Sequence, residues 1–139
     1  MPAIGFISPA LFYRDAAAAM QFLVEAFGFE TRLVVPDDTG GIAHAELTWR
    51  DSVIMLGTAR PDDGLRSPLD LSGRHQSLSV IVDDVDAHHA RALQAGATLV
   101  RPLREEDYGG RGYEVTDPEG HRWYFGTYVP GAWWDGNGG

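Results

Sequence analysis

Apolar positions in this chain follow two spacings, and the order in which the spacings appear repeats. Phe6 to Tyr13 reads as a strand. Arg14-Asp15 then leads into AAAAMQFLVEAF, where Met20, Phe22, Leu23, Ala26 and Phe27 form the apolar stripe of an alanine-rich helix. Asp15 is placed as the N-cap, and Gly28 as the residue that stops the helix. Phe29 to Val35 is extended again and Pro36 to Gly41 is a polar loop. Ile42 to Trp49 and Val53 to Gly57 are strands joined by the turn Arg50-Asp51-Ser52. The stretch forms a βαβββ unit.

Thr58 to Arg74 is rich in Pro, Gly and Asp and separates this unit from a second with the same outline. Gln76 to Val82 is a strand and Asp84 an N-cap. Val85 to Ala95 is a helix with Val85, Ala92 and Leu93 apolar, closed by Gly96. Strands follow at Ala97 to Arg101, Gly112 to Thr116 and Arg122 to Tyr128. The last two are joined by Asp117-Pro118-Glu119-Gly120, whose proline pre-sets φ and whose glycine tolerates positive φ. The pattern predicts one domain over 1–139, with unit one at about 5–58, a linker at 59–75, unit two at about 76–128 and a tail at 129–139.

The 139 residues are 44% hydrophobic, enough for one compact core. No cysteine is present, which removes disulfides, thiolate catalysis and Cys-based metal clusters. Met1 to Ala10 lacks the basic start and long apolar stretch of a secretion signal, and no apolar run reaches membrane-spanning length, so a cytoplasmic protein with no membrane partner is expected. A formal charge of −9 argues against nucleic acid and tilts the expected ligand towards a cation.

Aligning the units on Asp15 and Asp84 and counting back seven residues gives Ser8 and Ser77; two residues before Gly57 and Gly126 stand Met55 and Tyr124. Glu46 and Glu114 correspond if the second hairpin turn is one residue longer. The paired units, YRDAAAAMQFLVEAFGFE, AHAELTWRDSVIMLG and VTDPEGHRWYFGTY together resemble the vicinal oxygen chelate superfamily of glyoxalases, bleomycin-resistance proteins and dioxygenases, and within it the small bleomycin-resistance-like and PhnB-like members. The resemblance runs from Phe6 to about Tyr128. It implies an α+β fold in which two βαβββ units form mixed sheets curved into an open cup with helices on the outside. It also implies an isologous homodimer, and leaves open whether the units pair within a chain or across a swapped dimer.

In metal-dependent members the first and last strands of each unit supply His, Glu or Gln ligands. Carried onto this chain those positions are Ser8, Met55, Ser77 and Tyr124, so no metal and no cofactor is expected. Strand alternation turns Ala43, Ala45, Leu47, Trp49, Ile54, Leu56, Tyr113, Val115, Trp123 and Phe125 towards the helices. Ser8, His44, Glu46, Thr48, Val53, Met55, Ser77, Ser79, Glu114, Thr116, Arg122 and Tyr124 then line the cup, with Tyr108 on an adjoining Gly-rich loop as a lid or a plain turn. The two glutamates contact ligand or stay solvated, Glu114 beside Arg122.

His88 and His89 are expected on a solvated helix surface and His121 at a strand end. Trp133 and Trp134 cover the core, a dimer interface or the pocket. These features favour a metal-free protein that sequesters a small organic molecule, cationic or aromatic. The alternative is a lyase or isomerase using His44 and Glu46 for proton transfer, or a metal enzyme with rearranged ligands.

Overall fold

A computed structural model describes residues 7–131. Its elements are β1 (Ala10–Tyr13), α1 (Ala16–Phe27), β2 (Glu30–Pro36), β3 (Ile42–Trp49) and β4 (Ser52–Thr58), followed by β5 (Ser77–Ile81), α2 (Val85–Gln94), β6 (Thr98–Glu105), β7 (Arg111–Thr116) and β8 (Arg122–Gly126). This is the predicted βαβββ order, twice. The sheets run β1-β4-β3-β2 and β5-β8-β7-β6, each with one parallel and two antiparallel pairings. The proposed start at Phe6, and Trp133 and Trp134, lie outside the described residues.

Both predicted N-caps form: Asp15 accepts from the Ala18 amide at 3.0 Å and Asp84 from the Ala87 amide at 3.1 Å. α1 ends because Gly28 turns left-handed (φ 85°), bringing the Phe29 amide within 3.3 Å of the Leu23 carbonyl. Its buried stripe is Ala16, Ala19, Met20, Leu23, Ala26 and Phe27.

The strand faces sort largely as alternation predicts. Ala45, Leu47, Ile54 and Leu56 of the first sheet and Tyr113, Val115, Trp123 and Phe125 of the second are buried. Ala43, expected on the helix side, is exposed. The correspondence of Glu46 with Glu114 holds: Glu46 pairs with Met55 as Glu114 pairs with Tyr124.

The two apolar sheet faces converge on one pair of helices. Phe27 of α1 packs against Trp123 and Phe125 with ring centroids 5.4 and 4.6 Å apart, and Trp49 meets His88 of α2 at 5.9 Å. The helices lie on the outer side of each cup, as expected. Because both sheets share them, however, the polar faces open in opposite directions.

Hydrogen bonds fix the units to each other. Tyr13 Oη and Trp123 Nε1 donate to Asp117 Oδ2 at 2.7 and 3.1 Å, and the Trp49 indole donates to the Ile81 carbonyl at 2.9 Å. Glu119 accepts from the Arg14 and Asp15 amides at 2.6 and 2.8 Å and from Ser67 Oγ at 2.6 Å. The linker is therefore an ordered segment with two short 3-10 turns, anchored by a buried serine.

His88 corrects the expectation of a solvated pair. It is 9% exposed, with Nε2 donating to the Phe27 carbonyl at 2.8 Å and Nδ1 accepting from Tyr113 Oη at 2.6 Å. Burial holds its pKa below the ordinary histidine value. His121, expected at a strand end, is also buried and bonds the Phe12 carbonyl through Nε2 at 2.9 Å. No helix among the described residues is long and apolar enough to cross a membrane.

Candidate functional site

The residues expected to line one cup fall into two groups. His44, Glu46, Thr48 and Met55 sit on the open face of β3 and β4, with Ser8 exposed just before β1. Ser77, Ser79, Glu114, Arg122 and Tyr124 sit on the open face of the second sheet, with Tyr108 at its rim. The back-to-back arrangement keeps the groups apart within one chain. Cavities of about 590 and 330 Å³ lie at the α2 N-terminus and at the linker; of the expected cup residues, Thr48 alone lines one of them, the larger.

On the first face, His44 Nε2 lies 2.8 Å from Glu46 Oε2, and Arg32 reaches the other carboxylate oxygen. The His44 bond, with the Arg32 charge behind it, outweighs desolvation and holds the Glu46 carboxyl below the usual range. Arg32 is a partner the sequence reading missed. It sits where the pairing of β2 with β3 shifts register between Thr31 and Leu33, and strict alternation does not assign a face there.

The second face is more elaborately built. Cross-strand pairing lines up Arg101, Glu114, Tyr124 and Ser79 in one row across the four strands. Arg122 donates through Nε to Glu114 Oε2 at 2.9 Å, so this glutamate, like Glu46, is neutralised by an arginine. The far end of the Tyr124 ring rests directly on the backbone of Gly112 and Gly126. A Cβ on Gly112 would fall 2.1 Å from the Tyr124 hydroxyl, and one on Gly126 would fall 2.7 Å from it. The two glycines are paired across β7 and β8, and their missing side chains make the cradle.

The Tyr124 hydroxyl donates to Glu106 Oε2 at 2.6 Å, as do Arg101 Nη2 at 2.6 Å and Tyr108 Oη at 3.0 Å; Arg104 Nε reaches Oε1 at 3.1 Å. Glu106 is buried, with its side chain 1% exposed. Burial pushes its carboxyl up, but the bonds from Tyr124, Arg104, Arg101 and Tyr108 outweigh it and bring the pKa to about 2. Burial, then the bond to Glu106, pushes the Tyr124 hydroxyl well above its ordinary value. The Arg101 guanidinium stands 5.7 Å from the Tyr124 ring centroid, within cation–π range. Glu106 was missed because the end of β6 reads as a charged loop, and Arg101, the last residue of the predicted strand, was given no place in the cup. The available signal was a carboxylate flanked by arginines, beside two glycines spaced to pair across a hairpin.

The four positions that hold metal in metal-dependent relatives do not fit a metal here. Met55 offers a thioether, Tyr124 commits its proton to Glu106, and Ser8 and Ser77 offer neutral exposed hydroxyls. Among the described residues, no three His, Asp or Glu side chains converge as a ligand set.

Residues 4–125 match the Glyoxalase/Bleomycin resistance protein/Dioxygenase superfamily. The chain is 37% identical over 126 residues to an uncharacterised protein of Mycobacterium bovis, an alignment covering 88% of this chain and 83% of that protein. Among solved structures it is similar to TioX from Micromonospora sp. ML1, with TM-score 0.69, 35% identity, and 90% and 99% of the two chains covered. It also shares a fold with the fosfomycin resistance protein FosX from Listeria monocytogenes, solved with Mn(II), at TM-score 0.69, 16% identity and coverage of 91% and 94%.

Proposed function

The chain belongs to the Glyoxalase/Bleomycin resistance protein/Dioxygenase superfamily, and within it we propose that it is a metal-free protein that sequesters a small organic molecule on the face bearing Tyr124. The observation that carries this reading is the locked tyrosine. At a position where metal-dependent members carry a ligand, an aromatic ring lies in a glycine cradle, its hydroxyl held by Glu106 and its ring beside Arg101. Such a surface is rigid before a ligand arrives, and a planar ligand would lie against the ring edge and the guanidinium over it.

It is poorly suited to proton transfer. A carboxyl at about 2 and a tyrosine raised above its usual range are far from the neutral pKa that a general base needs. The carboxylates of both faces are engaged by Arg32, Arg122 and the Glu106 cluster, which favours an aromatic ligand over a cationic one.

Sequestration needs a second wall, and the described residues of one chain do not supply it. In this reading a homodimer places the first-sheet face of one protomer over the second-sheet face of its partner, closing a pocket around the ligand. The His44–Glu46 contact supports one alternative, a lyase or isomerase in which Glu46 orients His44 as the base.

Thermal-shift screening of aromatic, cationic and carboxylate compounds against the wild type and Tyr124→Ala tests the proposal. Aromatic compounds are expected to stabilise the wild type and not the variant; stabilisation by cations alone overturns the ligand class. Near-stoichiometric divalent metal that disappears in His44→Ala and Glu46→Ala overturns the metal-free reading. A monomeric mass by light scattering overturns the shared pocket.

A further inference from the structure

The linker builds a second site, separate from the Tyr124 face. A cavity of about 330 Å³ lies between the linker, the open side of β1 and the start of β5. This is within the size range of pockets for small organic molecules. Its apolar wall includes Phe12, Leu65 and Leu71. Arg66 and Arg74 line it together with His75 and His121, and among the described residues no aspartate or glutamate does, in a protein whose formal charge is −9. Every one of the 11 basic residues in the chain is arginine, the side chain whose planar fork matches a carboxylate.

The cleft is held open by contacts a ligand need not supply. Ser67 Oγ bonds the buried Glu119 at 2.6 Å, Arg60 and Leu65 exchange backbone hydrogen bonds at 2.8 and 3.1 Å, and Arg74 Nε donates to the Gly120 carbonyl. The Arg60 guanidinium stands 5.6 Å from the Phe12 ring centroid and is ion-paired with Asp63 at 3.2 Å, so among the described residues the free positive charge of the cleft is that of Arg66 and Arg74. Asp70, the nearby acid that feels Arg66, is ion-paired with Arg14.

We propose that this cleft binds an apolar monocarboxylate, its tail on Phe12, Leu65 and Leu71 and its carboxylate on Arg66 and Arg74. The site does not depend on the Tyr124 face. Isothermal titration calorimetry with octanoate, octan-1-ol and octylammonium on the full chain at neutral pH tests it. Octanoate is expected to bind saturably at one site per chain, and the other two are not. Arg66→Gln is expected to weaken octanoate roughly tenfold, the loss of one charge-assisted hydrogen bond. Phe12→Ala weakens it through the tail, and Tyr124→Ala leaves it unchanged. Absence of saturable octanoate binding, equal binding of octylammonium, or an unaltered affinity in both Arg66→Gln and Phe12→Ala overturns the inference. Loss in Tyr124→Ala alone moves the carboxylate to the sheet face, which defeats this site and leaves the proposed function standing.

Discussion

Glu106→Gln is the substitution that most directly probes how the second face is built. The wild-type carboxylate is enclosed and accepts four side-chain hydrogen bonds, two of them from arginines. Lowering a glutamate from 4.5 to about 2 corresponds to roughly 3 kcal/mol of preference for the charged form in the folded state. Removing one member of a buried ion pair costs about 3–5 kcal/mol. Arg104 is 60% exposed and its share is screened by water, so about 3 kcal/mol is the better figure. That corresponds to a fall of roughly 10 °C in Tm for a domain of this size. The sign with pH follows from linkage. A depressed carboxyl stabilises fully above 4.5, and the contribution is lost as pH falls towards 2, because the unfolded glutamate protonates first. Urea denaturation followed by tryptophan fluorescence, at pH 7 and at pH 3, measures both quantities. The variant is expected to be less stable at pH 7 and to lose less stability on acidification than the wild type. A cost below about 1 kcal/mol at pH 7 with the acid slope unchanged would refute the account of Glu106 as the anchor of Tyr124 and Arg101.

Other perturbations test other parts of the molecule. Gly112→Ala puts a methyl group where the Tyr124 ring rests and should cost about 1–3 kcal/mol; combining it with Tyr124→Ala relieves the clash, so denaturation midpoints of the pair are expected to be strongly non-additive. His88, held below its ordinary value by burial, makes the folded state bind fewer protons than the unfolded one just below pH 6.5; stability therefore falls as pH drops through that window, and His88→Gln should flatten the difference in urea midpoint between pH 7.5 and 5.5. Ser67→Ala removes a buried hydrogen bond to a carboxylate and should cost about 1.5–3 kcal/mol, with proteolysis within the linker as the local readout.

The repeat was legible in the sequence because three independent signals agreed at each unit: a cap aspartate, a glycine stop and strands of alternating polarity. Face assignment followed wherever a strand is regular, which is why Leu47, Trp123 and Glu114 were placed well. It failed where regularity fails. The register shift in β2 hid Arg32, and the irregular pairing of β6 between Arg101 and Arg104, a strand carrying Pro102 at the sheet edge, hid the cluster around Glu106. His88 was missed because a histidine on a helix looks polar. Its burial depends on Phe27 and Tyr113, each 25 or more residues away, whose carbonyl and hydroxyl satisfy both ring nitrogens. The opposed directions of the two cup faces lay beyond any local pattern, since they follow from one helix pair serving two sheets.

Net charge is a coarse guide for a related reason: it is a sum over the chain, whereas a ligand meets one surface. Asp38, Asp51, Asp62, Asp63, Asp83, Asp84, Asp86 and Asp107 are exposed in turns, at helix starts or on the first turn of α2, places where short carboxylates cap the backbone or stay in water. The arginines are placed differently. Arg32, Arg101, Arg104 and Arg122 stand on the two open faces, each against a glutamate, while Arg66 and Arg74 line the linker cleft without one. A ligand at either face therefore meets compensated charge, with the Tyr124 ring on the second, and a ligand at the linker meets the guanidinium groups of Arg66 and Arg74, unpaired among the described residues. The overall −9 is spread over the whole surface. Charges more than about a Debye length from a site are screened by salt, so the local arrangement of arginine sets what binds.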